Sequence, residues 1–567
     1  MGITGHRNIR EQDRGELQKA IRSILLELKS KYGATPLILL SALAEGADRL
    51  AAEVALSDEI RARLFVPMPT RQAVYERDFA GDSLAKFRSL LAQAEGFVEL
   101  PLVEGNSSEG IMHPGRERDL QYESVAKYIV GKSQILIALW DGVESGLVGG
   151  TSSMVRFQRD GLPPSEACCL EAQEGFPVYW IPTPRETLSV PKGTPFERQD
   201  LYPHSFQGDD ALAAGYYRRM FSRIDEFNHY VAGADSDLRA EIVKSKTYLL
   251  RGRSEVQLPE EVRAELNRFG LADALALRFR HEKVHMEKLL HVTIFAAFLS
   301  FTFFAHLFHH PGVLLLSLLL LAYGYWRWSG FRKGEGDTKF QDYRAMAEGL
   351  RVRFFWRLVG LSDAVTDHYL GKQRSELDWI RNGFRGWDVR ADSSAETSEK
   401  DLLDRIETVR TNWVEAQKEY FRGAAGRDER HLERFELWGK IFASFGVGVG
   451  TIVLLFVCYK FRSMLLDYEY FRHNELESVA VVLFLVEAAL ALAALLHNYA
   501  NRMAYREHAK QYGRMEGVFS RAAESIREHS DPRAAVECLE SLGKEALSEN
   551  GDWVLLHRER PLEVPHP

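Results

Sequence analysis

The sequence predicts an α/β domain with a Rossmann-like, mostly parallel sheet, followed by an all-α membrane module. Two observations predict this division. Short apolar runs alternate with amphipathic helical patterns over residues 1–185, and long, nearly uncharged stretches occur after residue 285. Four such stretches, in two closely spaced pairs, predict four transmembrane helices in two hairpins with cytoplasmic helices around them.

The first part of the chain contains six apolar runs of strand length. Rich in Ile, Leu and Val, they cover residues 1–4, 36–42, 62–68, 96–101, 134–140 and 177–182. Segments with the apolar spacing of helices lie between them, at residues 11–32, 44–57, 83–94 and 116–131. Strands alternating with helices are typical of a parallel sheet covered by helices on its faces.

The membrane segments divide the rest of the chain. We expect a nucleotide-sensing domain at residues 1–190 and a helical linker region at 191–285. A first transmembrane hairpin is expected at 286–330, followed by a cytoplasmic helical region at 331–437. A second hairpin is expected at 438–497, followed by a C-terminal cytoplasmic helical region at 498–567. The spans themselves are predicted at residues 289–308, 312–328, 438–459 and 479–496.

Basic residues predict the orientation of the hairpins. The turn at 309–311 lacks Lys and Arg, whereas the other side of the first hairpin carries Lys283, Lys288, Arg327, Arg332 and Lys333. By the positive-inside rule, both termini and the region between the hairpins are predicted to be cytoplasmic.

A loose internal repeat accompanies the two hairpins. The segment at 278–290, before the first hairpin, is similar in sequence to the segment at 427–439, before the second. The segment at 341–351, after the first hairpin, is similar to the segment at 503–514, after the second. Each unit is predicted to run helix, span, span, helix, and the two units to pack as a pseudo-symmetric bundle.

Composition excludes several classes of protein. The net charge of −8 argues against a protein that binds nucleic acid polymers. The cysteines are Cys168, Cys169, Cys458 and Cys538, and their spacing suits neither a metal site nor a disulfide framework, which indicates a reducing compartment. No signal peptide is expected at the start, and no metal or resident cofactor is expected.

Glycine-rich turns at the carboxyl ends of the predicted strands indicate a site for an anionic ligand. Such turns expose backbone N–H groups, and a helix that begins there adds the positive end of its dipole. The predicted ligand-binding residues are Gly2, Thr4, Gly5, His6, Arg7, Ser41, Glu45, Gly46, Asp48, Arg118, Gln121, Tyr122, Asp141, Gly142, Gly149, Gly150 and Thr151. A single glycine pair is more often an ordinary turn, and a carboxylate such as Glu45 is more often a helix cap than a ligand.

Three polar residues lie within the predicted spans. Glu487 interrupts the last span, where it either contributes to an acidic ring around a cation path or fixes helix packing. Thr302 and His306 are four residues apart on one face of the first span, which either lines a polar path or forms interhelical hydrogen bonds.

Five sequence blocks carry a family resemblance. They are GITGHR, LSALAEGADRLA, RDLQYESVAKYI, ILIALWDG and GGTSSMV, in that order within residues 1–185. Together they resemble the SLOG superfamily, a Rossmann-like family related to the cytokinin-activating LOG enzymes and to DprA proteins. The resemblance implies binding of a nucleotide-derived ligand, such as a cyclic nucleotide or an NAD-derived messenger.

The chain differs from LOG-type enzymes at a position that is important for their catalysis. LOG-type enzymes place a glutamate after the glycine–threonine turn, where this chain has Ser152, Ser153 and Met154. An oxocarbenium-like transition state requires a nearby negative charge, so we expect a sensor rather than an enzyme. Glu45 or Asp48 remains able to supply that charge, and a membrane-anchored nucleotide or NAD glycohydrolase is the alternative. A scaffold with a degenerate pocket is a third hypothesis.

The region from about 270 onwards is similar to SLATT-type effector modules, which are predicted to form pores in bacterial conflict systems. This resemblance implies a multi-pass protein of the bacterial inner membrane that acts in antiphage defence. On binding its messenger, the protein is expected to open or oligomerise and to permeabilise or depolarise the membrane. The expected partners are the messenger, the bilayer, further copies of the chain and a separately encoded messenger synthase.

Overall fold

The computed structural model describes residues 1–144, 149–162, 175–185, 190–361, 365–369, 377–387, 399–464, 476–528 and 531–558. Cys168, Cys169 and the end of the chain lie outside these ranges, as does the turn of the second predicted hairpin. The chain forms two compact units, Met1–Asp235 with the described part of 364–396, and Ser236–Asp363 with the described part of 397–567. The first unit therefore extends past residue 190, where the sequence predicted its end.

The described part of the first unit contains a seven-stranded sheet in the order β4-β3-β2-β1-β5-β6-β7. Its strands are β1 (Gly2–Gly5), β2 (Ile38–Leu40), β3 (Arg63–Met68), β4 (Gly96–Glu99), β5 (Leu136–Trp140), β6 (Val178–Pro182) and β7 (Gln199–Leu201). All pairs are parallel except β6 with β7. The six predicted strands are confirmed, and β7 was missed because its residues, QDL, form no apolar run.

Helices cover both faces of this sheet. Up to residue 235 the α-helices are α1 (Arg14–Lys31), α2 (Ala47–Leu56), α3 (Gln72–Tyr75), α4 (Asp82–Leu91), α5 (Arg116–Lys132), α6 (Thr151–Asp160) and α7 (Asp210–Gly233). Along β5, Ile137 and Leu139 pack into one core, whereas Leu136, Ala138 and Trp140 pack into another on the opposite face. Because both faces are buried, this strand is apolar at every position.

The described residues of the second unit are mainly helical. In chain order, the α-helices after residue 235 are α8 (Ser236–Leu250), α9 (Glu260–His306), α10 (Pro311–Lys333), α11 (Gly336–Leu358), α12 (Val365–His368), α13 (Asp378–Trp387), α14 (Glu399–Val409), α15 (Ala416–Met464), α16 (Leu476–Arg502), α17 (Tyr505–Glu528) and α18 (Pro532–Arg558). Of these, α12 and α13 belong to the first unit, although the chain reaches them from α11 and leaves them for α14.

Three helical stretches in the described chain are long and apolar enough to cross a membrane. They are Val262–His306, Glu399–Tyr459 and Val479–Glu528. The predicted spans at 438–459 and 479–496 fall within them, and the one at 289–308 does so except for its last two residues. The remaining predicted span, at 312–328, falls in α10, which is not among them. Helix α10 contains the aromatic and basic residues YGYWRW at 323–328, which lower its mean hydropathy.

Two parts of the second unit have the same helical order. In each, a long helix (α9 or α15) is followed by an apolar helix (α10 or α16) and by a third helix (α11 or α17) that packs on the long one. Both turns into the third helix contain a residue in the left-handed region, Glu335 at φ 54° and Ala504 at φ 53°. The predicted repeat thus corresponds to two helical units of similar construction.

Candidate functional site

A cavity of about 670 Å³ lies at the carboxyl edge of the sheet. Its wall includes residues one to three positions after the ends of β1, β2, β3, β5 and β6, namely His6, Ala42, Pro69, Val143 and Arg185. Strands β1 and β5 are neighbours although β2, β3 and β4 separate them in the chain, so the order of the sheet reverses between them. Ligands of open α/β folds bind at this topological switch point, and the cavity has the volume of a small-molecule site.

Most of the predicted ligand-binding residues line this cavity. They are Thr4, Gly5, His6, Arg7, Asp48, Arg118, Tyr122, Gly149, Gly150 and Thr151. The others, Gly2, Ser41, Glu45, Gly46, Gln121, Asp141 and Gly142, are not part of its wall. The sequence missed further wall residues, among them Asp78 and Arg185.

Two arginines flank the ring of Tyr122 in the cavity wall. The guanidinium carbon of Arg7 lies 5.8 Å from the centre of this ring, and that of Arg118 lies 5.5 Å from it. Arg118 and the Tyr122 hydroxyl both donate hydrogen bonds to Asp78, and Arg118 donates a further one to the Ile111 carbonyl at 2.7 Å. The contacts of Asp78 and Ile111 fix Arg118 on its helix, α5, with its charge beside the cavity.

The amino end of α6 forms another part of the wall. Gly149 has φ +71°, and a Cβ atom there would lie 2.9 Å from the backbone nitrogen of Glu123 in α5. This turn therefore requires glycine on conformational and steric grounds. Gly150 caps α6 and lines the cavity together with Thr151 and Ser152 of the first turn, so the positive end of the helix dipole lies at the cavity.

His6, Asp141 and Arg185 connect the ends of β1, β5 and β6. The Asp141 carboxylate is fully buried and forms an ion pair with Arg185. The backbone N–H of Asp141 donates to Nε2 of His6 at 3.0 Å, and burial is the main reason why the pKa of His6 is lowered. A neutral His6 with Nε2 as acceptor fits both observations. Asp141 is thus not part of the cavity wall, but it fixes the positions of His6 and Arg185, which are.

Asp48 is a buried carboxyl group that reaches the cavity. It lies in the first turn of α2 and is 8% exposed. Burial raises its pKa to about 7, although a hydrogen bond from the Ala44 backbone and the charges of Arg7 and Arg49 act in the opposite direction. Asp48 can therefore hold or release a proton near neutral pH, as a general acid or base requires.

The predicted residues outside the wall have contacts elsewhere. A Cβ on Gly2 would lie 2.6 Å from Oγ of Ser133, so Gly2 allows α5 to pack closely on β1. The Ser41 hydroxyl accepts from the Leu43 backbone N–H at 3.1 Å, and Glu45 accepts from Ser83. Gln121 is fully buried, accepts from the Val103 backbone N–H at 3.0 Å and donates to the Pro101 carbonyl at 2.7 Å.

Two further glycines support the wall without forming it. Gly46 has φ +80°, and a Cβ there would collide with the carbonyl oxygens of His6 and Arg7. Gly142 has φ +82°, and its Cβ would lie 2.9 Å from the Trp180 ring. Gly46 in particular lets the loop after β1 approach the start of α2.

The three polar residues predicted within the spans have different contacts. Nε2 of His306 in α9 lies 3.1 Å from each carboxylate oxygen of Glu487 in α16. The hydroxyl of Thr302 donates to the Leu299 carbonyl of its own helix at 3.2 Å, and Thr302 is buried. His306 and Glu487 therefore form a polar contact between two helices, whereas Thr302 is satisfied within one.

The described residues contain no group of three or more His, Cys, Asp or Glu side chains that could hold a metal ion. The chain matches no protein-family model, and a comparison with curated proteins finds no relative. The geometry of the cavity is accordingly the main basis for a functional assignment.

Proposed function

We propose that this chain is a membrane receptor whose first unit binds a nucleotide-derived signalling molecule. The observation that carries the proposal is the convergence of Arg7, Arg118 and the amino end of α6 on one cavity of about 670 Å³ at the switch point of the sheet. Cationic side chains and the positive ends of helix dipoles are partners that phosphate groups prefer. The cavity volume suits a ligand of nucleotide size.

The second unit is proposed to be the output, a bundle of four transmembrane helices in two hairpins. Helix α10 would be the fourth span: Leu315, Leu319 and Trp326 are more than half exposed on its surface, as expected of side chains that face lipid. It is attached to α9 by hydrogen bonds from Ser300 to the Val313 carbonyl at 2.8 Å and from Ser317 to the Ala297 carbonyl at 2.9 Å. Such polar contacts favour a stable hairpin.

Ligand binding would then open the bundle or drive its oligomerisation, and the bacterial inner membrane would be permeabilised or depolarised. Both termini would face the cytoplasm, as the distribution of basic residues predicts. Four spans enclose little space for ions, so several copies of the chain would form the path. The resemblance to SLOG and SLATT modules supports a role in antiphage defence, with a separately encoded synthase as the source of the messenger.

Two measurements test the proposal. The small molecule that copurifies with the full chain would be released by denaturation and identified by mass spectrometry. The same molecule would be added to liposomes that contain the protein and a trapped dye, and saturating amounts should cause dye release. To change the ratio of open to closed protein from 1:99 to 99:1, the ligand must bind the open state about 5.5 kcal/mol more tightly than the closed state. Liposomes that stay sealed at saturation would contradict the output function.

A membrane-anchored nucleotide or NAD glycohydrolase is the second candidate, and Asp48 is the observation that favours it. Its buried carboxyl group reaches the cavity, whereas Glu45 is bound to Ser83 outside the wall. Of the two acids considered as replacements for the glutamate of LOG-type enzymes, Asp48 is thus the better placed. Purified protein would be incubated with nucleotides and NAD; release of free base that is lost in Asp48→Asn and retained in Glu45→Gln would identify the enzyme.

A further inference from the structure

A second cavity lies at the opposite edge of the same sheet. Its volume is about 140 Å³, and it is lined where β1, β2 and β5 begin, by residues such as Met1, Ile38 and Ile135. Helices α1, α7 and α13 close its sides with Tyr32, Phe221 and Trp387. This cavity shares no wall residue with the candidate nucleotide site, which lies at the carboxyl ends of the strands.

Two glycines of α13 keep this cavity open. Gly383 and Gly386 are three residues apart, lie on one face of a helix of ten residues and line the cavity. A Cβ at Gly383 would meet no atom within 4 Å, and one at Gly386 would lie 3.6 Å from the Gln134 side chain, an ordinary contact. No steric clash therefore requires glycine, although glycine is much less favourable than alanine in a helix interior. The consequence of both glycines is empty volume.

Loose packing of α13 does not explain the cavity. Trp379, Ile380 and Phe384 of this helix are at most 3% exposed. The Gln134 amide, at the end of α5, donates to the Asn382 carbonyl at 2.6 Å. Since the rest of α13 is packed as tightly as a protein core, the volume beneath its two glycines is a specific feature of the fold.

The chemistry of the wall defines the class of ligand. Leucine, isoleucine and aromatic side chains dominate it, and its polar side chains are Thr35, Asn228, Gln134 and Lys132. A cavity of about 150 Å³ with apolar walls is large enough for a benzene molecule. A ligand with one or two small rings and a single polar group fits both the volume and the composition of this wall.

We propose that this cavity is a second ligand site, which binds a small apolar or aromatic molecule, and that its occupant holds α13 against the sheet. This goes beyond the proposed nucleotide site and does not depend on it. The segment with α13 leaves the second unit after α11 and returns to it at α14. An occupant that stabilises α13 would therefore stabilise the attachment of this segment to the first unit.

Ligand-observed NMR on the full chain in amphipol tests the site with benzene, indole and phenol as probes, and inorganic phosphate serves as a competitor for the candidate nucleotide site. We expect saturable binding of at least one aromatic probe, and phosphate should not displace it. Gly383→Leu fills the cavity and should weaken aromatic binding by tenfold or more. The matched control is Gly513→Leu, which replaces a helical glycine that also has free space around it but lies outside the cavity.

The folding of each variant is checked by its Tm. If Gly383→Leu unfolds, Gly386→Ala, which adds a single methyl group, should weaken binding severalfold and keep the Tm within a few degrees. The proposal would be overturned if both Gly386→Ala and Gly383→Leu bound the aromatic probes as strongly as the wild type. It would also be overturned if no aromatic probe showed saturable binding.

Discussion

His306 and Glu487 face each other across two helices, with Nε2 of the imidazole 3.1 Å from each oxygen of the carboxylate. Their side chains are 26% and 39% exposed, so the pair is open on one side. A carboxylate in an apolar span needs a polar partner or water, and His306 is that partner within one copy of the chain. The exposed side leaves room for water or for a second copy.

A double-mutant cycle measures what this pair contributes. We expect His306→Leu and Glu487→Leu each to lower the Tm of the protein in detergent, because each leaves one polar group without its partner. The double variant should lose less than the sum of the two, with a coupling energy of about 0.5 to 2 kcal/mol. Strictly additive losses would mean that the two side chains do not stabilise each other.

Arg118 is expected to bind the anionic part of the ligand. Arg118→Gln removes the positive charge beside Tyr122, together with the ion pair to Asp78. We predict at least tenfold weaker binding of the copurifying molecule, measured by calorimetry, because charge-assisted hydrogen bonds to phosphate are among the strongest in proteins. The control is Arg88→Gln, whose arginine is exposed and bound to Glu76 outside the cavity. The affinity of Arg88→Gln for the copurifying molecule should equal that of the wild type.

The sequence predicted the strands well because each is an uninterrupted apolar run. Their carboxyl ends then indicated where polar residues would converge, and His6, Arg7 and Gly149 line one cavity as a result. The sequence could not separate glycines that line a site from those that serve packing. Gly2 and Gly149 occur in similar glycine–threonine contexts, but the distance from Gly2 to Ser133 depends on how α5 crosses the sheet.

Contacts between distant segments account for the residues that were missed. Asp78 meets Arg118 across 40 positions, and Arg185 meets Asp141 across 44 positions of sequence. Neither pair has a local signal, because its two members are distant in the sequence. The membership of α13 in the first unit was equally hidden, because α11 before its segment and α14 after it belong to the second unit.

The buried carboxyl group of Asp48 should make the stability of the protein depend on pH. Its pKa is about 7 in the folded chain, against an ordinary value of 3.8. The unfolded chain therefore releases this proton at lower pH, so stability that is present below about pH 4 is lost as the pH rises to 7. Asp48→Asn removes this loss, and its gain in Tm over the wild type should be larger at pH 8 than at pH 5.

The control for this pH dependence is Asp82→Asn, at the exposed first turn of α4. We expect the Tm difference between this variant and the wild type to be small and similar at both pH values. An equal Tm gain for Asp48→Asn at pH 5 and pH 8 would contradict a raised pKa at this position.

Gly46 supports the loop that carries His6 and Arg7, and its replacement should damage both stability and binding. Alanine there would adopt an unfavourable φ of +80° and would collide with two carbonyl oxygens of that loop. We expect Gly46→Ala to cost about 2 kcal/mol or more and to lower ligand affinity, since Arg7 must move. Gly81→Ala provides the comparison: its φ is +53°, but a Cβ meets nothing within 4 Å, so only the conformational strain should remain. Equal Tm losses in the two variants would rule out the collision.

Gly446 sets the distance between α15 and α16. A Cβ there would lie 2.8 Å from Cγ and Cδ2 of Leu490, whereas one at Gly448 would meet no atom within 4 Å. Small residues let membrane helices approach closely, and a larger side chain forces them apart. Gly446→Val should therefore destabilise the second hairpin by about 1 to 3 kcal/mol, measured as a lower Tm in detergent. Gly448→Val adds the same isopropyl group to an open position of the same helix and should leave the Tm nearly unchanged. A larger Tm loss for Gly448→Val than for Gly446→Val would show that the two helices do not pack through Gly446.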